Sequence, residues 1–100
     1  MDTLNPEQRY RAIFTDAYAD VLRFVRRRCD ADRAEDVTAQ AFLVAWRRVA
    51  ELPTRADDAR AWLFGIARNC LLNDHRGRRR QEALAVRIKT VSGLGAADAL

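Results

Sequence analysis

The side chains able to do chemistry crowd into one stretch, residues 59–80, ARAWLFGIARNCLLNDHRGRRR. Arg60, Arg68, Asn69, Asn73 and Arg76 carry guanidinium and amide groups, and Arg78, Arg79 and Arg80 follow behind Gly77. Residues 68–80 hold five arginines against one acid, Asp74. A guanidinium grips phosphate oxygens two at a time, so the chemistry on offer is anion binding, and a nucleic-acid backbone fits it. The same pattern serves a solvated surface helix, a membrane surface or a partner protein. Catalysis has no such support. The single histidine, His75, has no evident nucleophile or carboxylate partner, and no phosphate loop, nucleophile elbow or HExxH motif occurs. Paired acids such as Glu35-Asp36 and Asp57-Asp58 read as helix caps and charged surface. Cys29 and Cys70 are far apart and form no CxxC, so no zinc set assembles and both read as small hydrophobes. The expectation is a non-enzymatic chain with neither metal nor cofactor.

A helix must position the basic groups. Trp62, Leu63, Ile66, Ala67, Cys70 and Leu71 recur at helical spacing as one buried stripe, and the donors fall largely off it. Trp62 lies in that stripe, which favours a core role over stacking on a base. Two further helices are needed to cover the stripe. Asn5-Pro6 marks the start of the first, with Asn5 as N-cap. Tyr10, Ile13, Phe14, Ala17, Tyr18, Val21, Leu22 and Val25 keep the 3.6 period, and Phe24 sits off it, exposed or touching a partner. Arg26, Arg27 and Arg28 suit the negative end of that helix.

The second helix is expected over 33–50, with Asp32 and Glu35 at capping-box spacing. It starts acidic, with Asp30, Asp32, Glu35 and Asp36 around Arg33, and turns apolar on all sides over 41–46. Such a helix is either central or covered by a partner. A loop, 51–59, contains Pro53 and ends where Asp57 or Asp58 can cap the basic helix. Residues 81–91 can extend a helix, with Leu84, Ile88 and Val91 on one side, and 92–100 read as a linker or frayed tail. No strand signal survives. The fold class is all-α, a bundle of three main helices with a short fourth helix or helical extension.

Net charge is +4 over 100 residues, and of the 18 basic residues only Lys89 is a lysine. That balance favours an anionic partner, although GC-rich coding also raises arginine. No apolar run approaches the roughly 20 residues a membrane span needs, and the N-terminus shows no secretion signal. A cytoplasmic chain without a membrane partner is expected.

In order, the acidic-start apolar helix AEDVTAQAFLVAWRRV, a short proline loop, and WLFGIARNCLLNDHRGRRR resemble region 2 of the extracytoplasmic-function sigma factors of bacterial RNA polymerase. The likeness covers 14–80 and lies in the combination. It implies that Glu35, Asp36, Val37, Gln40, Phe42, Leu43 and Trp46 dock on the clamp helices of the polymerase β′ subunit. Within that set Asp36, Gln40 and Phe42 are the chief contacts. The commoner Gln-Glu pair is Ala39-Gln40 here. Trp62, Arg68 and Asn69 match the promoter-melting segment. Asn69, Asn73, Arg76, Arg78, Arg79 and Arg80 match the stretch facing the −10 element, and Arg60 joins the DNA-binding set. The loop 51–59 corresponds to the one that receives a flipped base of the non-template single strand, and Ala59 stands where many members carry an aromatic. An anti-sigma factor is a further implied partner. The resemblance divides the chain into a region 2 domain, 1–80, and a linker or partly helical tail, 81–100. Region 4 is absent, as in a truncated chain. The rival readings are an interaction module held by an inhibitor and a duplex-binding helix-turn-helix regulator.

Overall fold

The computed structural model describes the backbone of residues 4–98 and the side chains of residues 4–93. Three α-helices account for nearly all of it: α1 (Pro6–Arg26), α2 (Ala31–Arg47) and α3 (Ala56–Asp98). A single 3-10 turn, Val49–Glu51, precedes the loop into α3.

Helix α1 starts where Asn5-Pro6 predicts. The Gln8 N–H donates to Asn5 Oδ1 at 2.8 Å, and the Asn5 N–H donates back to Gln8 Oε1 at 3.0 Å. This reciprocal cap satisfies two of the donors that a helix start leaves orphaned. At the other end Arg28 donates to the Phe24 carbonyl at 2.9 Å, the capping role read from the arginine cluster. Helix α2 begins and ends earlier than the sequence suggests. Asp30 is its N-cap residue, so Asp32 lies inside the first turn and the expected Asp32–Glu35 box does not form. The Asp30 side chain makes no cap bond either; it accepts from Arg78. Helix α3 begins at Ala56, which puts Asp57 and Asp58 in its first turn. There they face the positive end of the dipole and are not caps.

The core is the stripe read from periodicity. Ala17, Val21 and Val25 of α1 meet Ala34, Val37, Ala41, Phe42 and Ala45 of α2 and Leu63, Ile66, Ala67 and Leu71 of α3. Thr38, fully buried on α2, donates its hydroxyl to the Ala34 carbonyl at 2.8 Å, so no polar group is stranded there. Cys29 and Cys70 pack against this core as free thiols, and burial raises the pKa of both. Phe24 packs edge-on to Phe64 at 5.3 Å, with the Arg28 guanidinium 3.7 Å over its ring. The side chain off the main stripe therefore has a partner within the chain.

Past Arg78, the last described residue tied to the other helices, the third helix leaves the bundle and continues without a break. The molecule is 78 Å long and only 23 by 16 Å across. Leu84, Val86, Ile88 and Val91 lie exposed along the projecting part. No helix among the described residues is long and apolar enough to cross a membrane.

Candidate nucleic-acid interface

Helix α3 carries the basic residues on two adjacent rows. Asn69, Asn73, Arg76 and Arg80 follow at i, i+4, i+7 and i+11, and Arg68, Leu72, His75 and Arg79 repeat the pattern beside them. Arg68, Asn69, Asn73, Arg76, Arg79 and Arg80 are all exposed. None of the four arginines among them has an ion pair among the described residues. The sequence-predicted set is thereby brought onto one face, with Arg60, Arg78 and Trp62 as exceptions.

Arg78 turns the other way and donates to Asp30 Oδ2 at 2.5 Å. The hydrogen bond, backed by the charge of Asp30, raises the guanidinium pKa. Arg60 is held by Asp16 at 3.3 Å and by a shorter contact to Asp20. Hydrogen bonding from Arg60 is the main reason that the Asp20 carboxyl lies below its ordinary pKa. Trp62 is half-buried, and its indole N–H is enclosed with no acceptor among the described residues. The rest of the side chain packs against the core.

Sequence reasoning missed two residues here. Asp74, counted only as the acid among arginines, has a side chain 8% exposed and accepts from Arg33 Nη2 at 2.5 Å and Nε at 3.2 Å. The fork ties α2 to α3 and raises the Arg33 pKa through the hydrogen bond first and charge second. Its signal lay in its register: Asp74 is three residues past Leu71, on the packed side of α3. Arg9, half-buried in the second turn of α1, donates to the Leu52 carbonyl at 3.3 Å and, more closely, to that of Pro53. No local pattern announces a contact 43 positions away. His75 is structural too, its Nε2–H donating to the Arg28 carbonyl at 3.0 Å.

Between α1, the loop and the start of α3 lies a pocket of about 340 Å³. Ile13, Leu52 and Ala59 supply apolar lining, and Arg9, Asp16 and Arg60 supply the charges. The volume is at the low end of ligand sites, which run about 300–1,000 Å³.

A second surface lies on α2. Asp36, Gln40 and Leu43 follow at i, i+4 and i+7, with Trp46 beyond, and all four are exposed. Glu35 and Asp36 meet only loose, solvent-facing partners, Arg26 at 3.9 Å and Arg33 at 3.5 Å. Val37 and Phe42, expected in the same contact set, lie instead in the core at 4% and 3% exposure. Phe42 is enclosed by Phe14 at 4.7 Å and Tyr18 at 5.4 Å, and its carbonyl accepts from the Tyr10 hydroxyl at 3.0 Å. Trp46 stands edge-on to Tyr10 at 5.2 Å and remains 43% exposed. The all-round apolar helix is thus both central and outward-facing, by different residues. Among the described residues no cluster of three histidines, cysteines or acids could hold a metal.

Residues 13–81 match the Sigma-70 region 2 family. Over 70 residues the chain is 37% identical to proteins named ECF RNA polymerase sigma factor SigL in three strains of Mycobacterium tuberculosis: Erdman, CDC 1551 and H37Rv. The match takes in 69% of this chain and 40% of each relative, so the chain spans less than half the length of those proteins. No solved structure matches it.

Proposed function

Because the chain belongs to the sigma-70 region 2 family, we propose that it acts in transcription initiation as the part of an extracytoplasmic-function sigma factor that docks on core RNA polymerase and recognises and melts the promoter −10 element. The supporting observation is the pair of unlike exposed surfaces on one bundle. The α2 surface is acidic and polar at Asp36 and Gln40 and apolar at Leu43 and Trp46. It suits a protein partner, with desolvated anchors at its centre and charges at its rim. In this reading residues 1–80 are the domain and 81–100 a linker or partly helical tail, helical over 81–98.

Docking comes first in this mechanism. A small basic domain binds nucleic acid weakly and with steep salt dependence, and tethering to the polymerase supplies effective concentration. Leu43 and Trp46 seat on the β′ clamp helices, with Asp36 steering the approach. Val37 and Phe42 act from beneath by fixing the surface. The Asn69–Arg80 face then lies along the non-template single strand, its arginines on phosphates and its asparagines within reach of base edges. Taking one base from the stack costs a few kcal/mol, and the pocket behind the loop offsets it by receiving that base. No step requires bond-making by the protein. An anti-sigma factor would block this sequence most simply by covering Leu43 and Trp46.

Titrating labelled chain against core RNA polymerase tests the reading. Saturable binding, lowered about tenfold or more by Asp36→Arg in a protein of unchanged helicity, is the expected outcome. A folded chain that shows no saturable binding would refute it.

A further inference from the structure

We propose that Arg9 is a positioning residue for base capture: its guanidinium holds the loop after the 3-10 turn in the shape that makes the pocket. The inference rests on the reading of that pocket as a base receptor.

Among the described residues, few hydrogen bonds hold the loop. Leu52 N–H closes the 3-10 turn on the Val49 carbonyl at 3.1 Å, and Ala59 N–H opens α3 on the Arg55 carbonyl at 2.9 Å. Between these bonds Pro53 has no N–H to give. The carbonyls of Leu52 and Pro53 both turn to Arg9, on a different helix. Two charge-assisted bonds from one planar fork fix direction as well as distance. Leu52 is buried beside them, so the tether and the apolar anchor act at the same point. Arg9 and the two residues it binds all line the pocket.

The charges around the pocket also indicate what it takes. Arg9 is engaged by carbonyls, and Arg60 by Asp16 and Asp20. Asp16 in the lining and Asp20 just outside it offset Arg60, and the remaining cation, Arg9, is turned onto carbonyls, so little positive charge is presented to a phosphate. The N–H donors of Arg9 that the carbonyls leave over can still reach a neutral heteroaromatic ring with acceptor atoms. A nucleobase fits this lining, and its phosphates fit the Arg76–Arg80 face.

The test presents the chain at low salt with short single strands carrying six randomised positions, and sequences the retained pool. Wild type is expected to enrich particular bases. Arg9→Ala should flatten the preference at one position by about fivefold or more, leaving the other positions, the salt slope and the melting temperature close to wild type. Arg9→Lys, which offers donors without the fork, should fall between. An unchanged profile in Arg9→Ala would overturn the proposal. So would a uniform loss at every position together with a lowered melting temperature, since that marks a merely structural residue. A wild-type pool with no preference anywhere would overturn the base-receptor reading itself, and this inference with it.

Discussion

On the inner side of α3, Arg33 and Arg78 close onto carboxylates that the chain itself supplies. On the outer side, Arg68, Arg76, Arg79 and Arg80 face solvent with no such partner among the described residues. The residue type is the same and the work is opposite. An arginine already paired by Asp74 or Asp30 stabilises the bundle and has little charge left for an external anion. An unpaired arginine contributes little to folding and is available to a phosphate. Arginine content therefore overstates binding capacity, and the distribution of the acids corrects it.

The two sides can be set against each other by substitution. Leu63 is fully buried on the inner side. Leu63→Ala should cost about 3 kcal/mol, with a melting temperature lower by on the order of 10–20 °C, and should leave the salt slope of DNA binding alone. Arg33→Ala leaves Asp74 buried without its fork, and a loss of stability smaller than that of Leu63→Ala is expected. That is less than for a fully buried pair because Arg33 itself is 41% exposed. Calorimetry on both variants would show whether the inner side is as structural as its geometry says. Replacing Arg76, Arg79 and Arg80 with alanine should do the reverse. The melting temperature should hold, while the slope of log affinity against log salt shrinks by roughly 2 units. An equal slope loss from Arg78→Ala alone would erase the contrast, because that residue should be silent in this assay. The smallest effect belongs to Gly77. A Cβ there meets nothing within 4 Å. Gly77→Ala should raise helix stability by up to about 1 kcal/mol, measurable as slower amide exchange around it.

What the sequence made legible follows the range of the forces involved. Periodicity located the buried stripes of α1 and α3, because burying one helix face is a local pattern. The Asn5-Pro6 start was equally local, with both halves of the cap within three residues. The start of α2 was not. Asp30 and Asp32 are both competent N-caps, and a side-chain tie to Arg78, 48 positions away, accompanies the earlier start. Val37 and Phe42 show a second limit. In a helix apolar on every side, spacing does not say which residues face inward, and the aromatic cluster of Tyr10, Phe14 and Tyr18 draws Phe42 in. Arg9 and Asp74 show a third. Their roles depend on partners more than 40 positions distant, and only the assembled bundle brings these together.

Continuity of α3 has a geometric consequence. Its 43 residues form a rod of about 65 Å, of which residues 81–98 contribute about 27 Å beyond the basic rows. A rod transmits angle as well as distance. Inserting one residue at position 81 would advance the far end by about 1.5 Å and swing it by about 100°. Four inserted residues would bring it nearly back into phase. The helix thus acts as a ruler and a clock hand together, setting both how far from the basic rows its own far end stands and which way that end points.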